Sequence, residues 1–182
     1  IKKNYSISFL TTQDGLSQAS NNYMLQDAKG YMWIGSQDGI NRYNGNEFFH
    51  FNDPKYYKNC TPFKQAFGLV ADAFGDIWIG SARGLYRYSQ RKNVFEKFDV
   101  FPANNEVNNM VLAFAIIGGE IWVTDGKSKF ASIDCKTHKV KTLFEVPPIL
   151  KINRLGEYMP VVDKKLQVWF TSGNLLYRFN PA

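Results

Sequence analysis

The residues able to do chemistry are few and scattered. Two cysteines, Cys60 and Cys135, stand 75 positions apart, and the only histidines are His50 and His138. No Cys-x-x-Cys pair or Cys/His cluster occurs, so neither a zinc site nor any other cofactor is expected. Nucleophilic catalysis needs a base beside a hydroxyl or thiol, and no local motif brings either histidine to one. Two of the acidic residues could form the carboxylate pair of a glycosidase, but no motif singles out a pair. Asp27 and Asp72 each precede a glycine by three positions. That spacing is turn chemistry: Asp accepts from nearby backbone amides, and Gly adopts the positive φ that follows. The net charge of +6 invites a nucleic-acid reading. The basic residues are dispersed, however, and the densest run, KTHKVK at 136–141, alternates as a strand edge does. No nucleic-acid partner is expected without a basic stripe.

These residues must be positioned by strands. The 182-residue chain is 45% hydrophobic and 16% aromatic, enough apolar surface to build a core. All four tryptophans share one register: Trp33, Trp78, Trp122 and Trp169 are separated by 45, 44 and 47 residues. Around them stand YMWIGS, DIWIGS, EIWVTD and QVWFTS, each followed by a second short apolar run. Helix caps and a 3.6-residue period are missing. A first unit reads as strands 22–26, 31–35, 40–43 and 47–51, joined by Asp27-Ala28-Lys29-Gly30 and Asn44-Gly45 hairpin turns. Four-stranded units at this period are β-propeller blades.

The expected architecture is therefore all-β: a propeller of about four blades, spanning approximately 11–51, 52–98, 99–144 and 145–182. The tryptophans fill space between blades, and Gly35 and Gly80 follow them within the repeat. Residues 5–10 (YSISFL) alternate like an outer strand that would close the last blade. An open blade face is an apolar patch, which predicts self-association or further blades. Cys60 and Cys135 fall on opposite faces and should not pair. The turns joining second and third strands share one face with the loops between blades, and loops on a rigid ring carry recognition. On that face lie turn residues 37–38, 82–83, 126–128 and 173–174, and the segments 11–20, 52–64, 102–109 and 147–154. Asp38, Arg83, Tyr56, Tyr57 and Lys58 are the candidates for hydrogen bonding or stacking on a ligand.

The strings GLSQ (15–18), QDAKGYMWIGS (26–36) and DGINRYNG (38–45) together resemble the two-component-regulator propeller repeat. The second unit matches through Asp72, Gly75, Trp78-Ile79-Gly80-Ser81, Gly84-Leu85 and Tyr88. The third and fourth keep Trp122 and Trp169 but place Thr124 and Thr171 where the glycine stands. The resemblance implies a fragment of a larger, seven-bladed propeller in the periplasmic sensor of a Bacteroides-type hybrid two-component system. It further implies an oligosaccharide ligand, control of polysaccharide-utilisation genes, no catalysis by this chain, and a membrane-anchored histidine kinase elsewhere in the parent protein. The competing readings are a protein-interaction propeller of the WD or kelch kind and a propeller hydrolase or lyase. The first lacks its recurring Trp-Asp or Gly-Gly signature, since Gly118-Gly119 is the sole such pair.

Overall fold

The computed structural model describes residues 6–101, 109–145, 160–172 and 175–180. Their strands form four sheets in sequence order. Blade one comprises β1 (Asn21–Gln26), β2 (Met32–Ser36), β3 (Gly39–Tyr43) and β4 (Phe48–His50). After a short 3₁₀ turn at Pro54–Tyr56, β5 (Tyr57–Lys58) precedes blade two. That blade is β6 (Ala66–Ala71), β7 (Ile77–Ser81), β8 (Gly84–Ser89) and β9 (Val94–Phe98). Blade three is β10 (Leu112–Ile117), β11 (Glu120–Thr124), β12 (Lys129–Asp134) and β13 (Val140–Glu145). Blade four has β14 (Val161–Val162), β15 (Val168–Ser172) and β16 (Leu175–Phe179). Each blade is an up-and-down antiparallel meander, the arrangement expected from the repeat. Residues 6–10 join no sheet, and Ile7 and Phe9 stand 81% and 84% exposed. Tyr5 and the segments at 102–108, 146–159 and 173–174 lie outside the described residues.

The turn aspartates do more than close hairpins. Asp27 Oδ1 accepts from the Lys29 and Tyr31 amides, at 2.9 and 3.0 Å, while its Oδ2 accepts the Trp33 indole N–H at 2.8 Å. Asp72 repeats this with Phe74, Asp76 and Trp78, and Asp163 with Lys165, Gln167 and Trp169. A buried indole N–H is thereby satisfied by the same carboxylate that fixes the turn. Across the blade the same three tryptophans pair with Arg42, Arg87 and Arg178, whose guanidinium carbons lie 5.7, 5.9 and 5.4 Å from the indole rings. Blade three departs on both counts. Its first turn is Gly118-Gly119, with Ile116 at the aspartate position, and Trp122 faces Ser132.

Trp33 and Trp78 are fully buried and Trp122 nearly so, whereas Trp169 on the last blade is half-buried. The first core lies between blades one and two and gathers Trp33, Phe51, Ile79, Tyr88 and Phe95. A second, between blades two and three, gathers Trp78, Leu85, Val111, Ile121 and Val123. The repeat glycines sit where one blade's second strand meets the next blade's innermost strand. A Cβ at Gly80 would lie 2.4 Å from the Phe67 and Val111 carbonyl oxygens. One at Gly35 would lie 2.8 Å from Ala66 Cβ. Only a hydrogen fits at either position.

Candidate functional site

The turns between second and third strands are built alike. In blade one Ser36 Oγ donates to the Gly39 carbonyl at 3.3 Å and accepts from the Asp38 amide at 3.2 Å. In blade two Ser81 Oγ does the same with Gly84 and Arg83, at 2.8 and 3.1 Å. Thr124 plays this part in blade three, with Lys129 and Gly126. A hydroxyl locked inside each turn holds its tip in one conformation. Asp38 and Arg83 thus occupy equivalent tips, one acidic and one basic.

The inter-blade loop ties these tips together. The Gln65 amide donates to the Gln37 carbonyl at 3.1 Å, and the Gln65 carbonyl accepts from the Ala82 amide at 3.3 Å. Gln65 therefore stands between two clefts. The larger, of about 750 Å³, is lined by Asn59, Thr61, Arg83, Tyr86, Lys97 and Asp99, with Cys60 and Ala82. Arg83 Nη1 reaches Thr61 Oγ1 at 3.5 Å, the Tyr86 hydroxyl donates to the Thr61 carbonyl at 3.3 Å, and Lys97 pairs with Asp99 at 3.0 Å. The smaller cleft, of about 370 Å³, lies between Gln18, Gln37, Asp38, Lys64 and Gln65, with Lys64 Nζ 4.0 Å from Asp38.

The larger cleft offers hydrogen bonds rather than proton transfer. Burial pushes the Tyr86 phenol up to about 12, helped by the neighbouring Cys60. Burial also pushes the Cys60 thiol up, away from the thiolate form that a nucleophile needs. Neither histidine lines the cleft: His50 ends β4 on blade one, and His138 lies on the turn after β12, at the opposite end of the strands. Among the described residues, no group of three or more His, Cys, Asp or Glu side chains is placed to hold a metal ion. Cys60 and Cys135 are both free thiols.

Of the five candidate ligand residues, Asp38 and Arg83 lie on the turn face, in separate clefts. The other three lie elsewhere. Tyr57 is buried, its ring stacked on Phe95 at 4.8 Å and its hydroxyl donating to the Phe51 carbonyl at 2.9 Å, so neither face is free for a ligand. Tyr56 packs edge-on against Phe49 and Phe51. Lys58 points its ammonium to Glu96, 3.9 Å away, along the outer edge of blade two. For Tyr57 and Lys58 the reason is that β5 pairs in parallel with β9, which draws them into the sheet, while Tyr56 ends the 3₁₀ turn just before it. Asn59 and Thr61 fall within the segment 52–64 expected on this face but were not singled out, and Tyr86 and Lys97 were not legible as site residues. They meet only because the loop leaves that edge beside the end of β9 and crosses to the turn of β7 and β8.

No family model and no curated protein matches the chain. Solved structures do. The extracellular domain of the hybrid two-component system BT4673 from B. thetaiotaomicron superposes with a TM-score of 0.67 at 18% identity, over 91% of this chain and 23% of that one. The corresponding domain of BT3049 from the same organism gives 0.65 at 16%, over 96% and 30%. Virginiamycin B lyase from Staphylococcus aureus gives 0.61 at 16%, over 89% and 53%. The chain thus spans between a fifth and a third of the two extracellular domains and about half of the lyase. At such identities the likeness concerns the fold: these are β-propeller blades.

Proposed function

We propose that the chain is a non-catalytic, ligand-binding part of the extracellular sensor of a hybrid two-component regulator. The observation that carries this reading is the larger turn-face cleft, which gathers amide, hydroxyl, guanidinium and ammonium groups, while its one lining carboxylate, Asp99, is tied to Lys97 and faces no second acid there. Sugar hydroxyls both donate and accept, and a rigid set of mixed donors and acceptors is what recognises them. The ligand in this proposal is an oligosaccharide from glycan breakdown, met in the periplasm, and the genes controlled are those of polysaccharide use. The likeness to two hybrid two-component extracellular domains supports it. The likeness to the lyase favours turnover instead, but neither histidine of this chain lines the cleft. Further blades, or a second copy, cover the blade faces left open here; exposed Ile7, Phe9, Leu175 and Leu176 are consistent with that.

The test is calorimetric titration of wild type and Arg83→Ala with a panel of neutral oligosaccharides, with chromatography of the products. The expected result is saturable binding without turnover, weakened about tenfold or more in Arg83→Ala. Turnover, or equal affinity of the two proteins for every bound sugar, would overturn the proposal.

A further inference from the structure

A third cleft opens at the other end of the strands, between blades two and three. Its volume is about 410 Å³. Three turns form it: the β6–β7 turn with Phe74 and Asp76, the β8–β9 turn with Arg91 and Lys92, and the β12–β13 turn with Lys136 and His138. Arg87 reaches it from β8. By strand direction this is the face opposite Asp38 and Arg83.

The charges here do not balance. Arg87 is 5% exposed and is held by Asp76 at 3.2 Å and by Glu96, and its Nη1 meets His138 Nε2. Lys92 lies 3.8 Å from the same Glu96. Lys58 approaches Glu96 as well, at 3.9 Å, so two carboxylates serve three cations. Arg91 and Lys136, both exposed and on facing turns of different blades, have no carboxylate within 4 Å among the described residues. Asp76 is the sole acid on the cleft wall. Converging cations repel one another unless an anion lies between them. Phe74, 63% exposed, adds an apolar wall beside them.

We propose that this inter-blade cleft binds a small oxyanion, a sulfate, phosphate or carboxylate group, between Arg91 and Lys136. The free inorganic ion and the charged group of a larger organic molecule share this chemistry. Phe74 tells them apart, because only an organic ligand has an apolar part to lay on it. The floor makes the site sensitive to pH. His138 faces Arg87, Asp76, Glu96 and Asp72, and its ring stands edge-on to Trp78 and Phe98. Burial and the Arg87 guanidinium hold the imidazole below its ordinary range, and the three carboxylates oppose this. In the contact with Arg87 the neutral ring accepts. Protonation adds a positive charge beneath the site and tightens an anion bound above it.

The probes are inorganic sulfate and phenyl sulfate, neither of which titrates across the range where histidine does. Binding to the chain is followed by nitrogen–proton NMR shifts and calorimetry. Both probes should bind, more tightly at pH 5.5 than at pH 8, with shifts centred on the three turns. The double variant Arg91→Gln/Lys136→Gln, altered only at exposed positions, should weaken both about tenfold or more. Phe74→Ser should weaken phenyl sulfate alone, and His138→Gln should flatten the pH dependence. An unchanged melting temperature for the double variant certifies its fold. Equal affinity of wild type and double variant, or no saturable binding of either probe at millimolar concentration, would overturn the proposal. Its failure would leave the oligosaccharide reading untouched, since Arg83 and the turn-face cleft take no part.

Discussion

Replacing Gly80 by Ala inserts one methyl group where two strands converge. The ideal Cβ lies 2.4 Å from the Phe67 carbonyl oxygen within blade two, and 2.4 and 2.6 Å from the Val111 oxygen and Ala113 nitrogen of blade three. All three are backbone atoms of innermost strands, so no rotamer change can relieve the overlap. Blade three would have to move away and loosen the core around Trp78 and Val123. Overpacking costs roughly 1–3 kcal/mol in ordinary cores and occasionally more. Against this stands a gain of about 0.5–1 kcal/mol for Ala over Gly in a strand. With three backbone clashes, a net loss of about 3 kcal/mol is expected, a fall in Tm of roughly 6–12 °C for a domain of this size. Gly35→Ala meets a softer neighbour, the Ala66 methyl at 2.8 Å, and should cost about 1–2 kcal/mol. Adding Ala66→Gly should return part of that loss, whereas it should do nothing for Gly80→Ala. Circular dichroism melts and urea titration of the four variants provide the assay. A Gly80→Ala protein melting within about 2 °C of wild type, or less perturbed than Gly35→Ala, would refute close blade contact as the reason for the glycines.

Trp78→Ala should cost about 3–5 kcal/mol by emptying a fully buried site, and Arg83→Ala no more than about 0.5, as parallel melts will show. His138 is held below its ordinary range by burial and Arg87, so its stabilising share is complete above pH 7 or so and is lost as pH falls through the lowered value. Stability between pH 8 and 5 should therefore drop less in His138→Gln than in wild type. The Cys135 thiol is pushed up to about 11 by burial, so a thiol reagent at pH 8 should label the half-buried Cys60 first and Cys135 only on unfolding.

The blades were legible because they repeat. Trp33 and Trp78 carry the same neighbours at a fixed spacing, and a period of that length admits few folds. The turn role of Asp27 and Asp72 was equally open to reading, although their hold on the indole N–H was not, since it depends on how far the next strand brings the ring back. Of the candidate clefts, only the placement of the turn tips was legible. Asp38 and Arg83 follow from topology alone, because every blade places its second turn on the same face. Tyr56, Tyr57 and Lys58 were misplaced since nothing in PKYYKN marks two residues as a strand. The pairing of Tyr57 and Lys58 is non-local, with Phe95 and Glu96, and it turns the Tyr57 ring inward. Lys97 and Asn59 share a cleft for the same non-local reason. Arg91 and Lys136 line one cleft from two different blades, an arrangement that only the completed packing creates.

The short parallel strand β5 has an outcome at the rim of the molecule. An outermost strand offers unpaired amides and carbonyls to any extended chain that passes. Blade two does not, at Phe95 and Glu96, because β5 already occupies that side. Blade three has no such belt among the described residues: β13 is the last strand of its sheet, with Val140 and Leu143 47% and 53% exposed. Lys139, exposed just before the strand, and Lys141, paired with Glu120 at 3.0 Å and Asp134 at 3.2 Å, put charged groups at this edge, which discourages strand-on-strand growth. Amide hydrogens should thus exchange with deuterium more slowly in the middle of β9 than in β13. Neutralising Lys139 and Lys141 would leave blade three, and not blade two, as the edge where chains begin to stack into fibres.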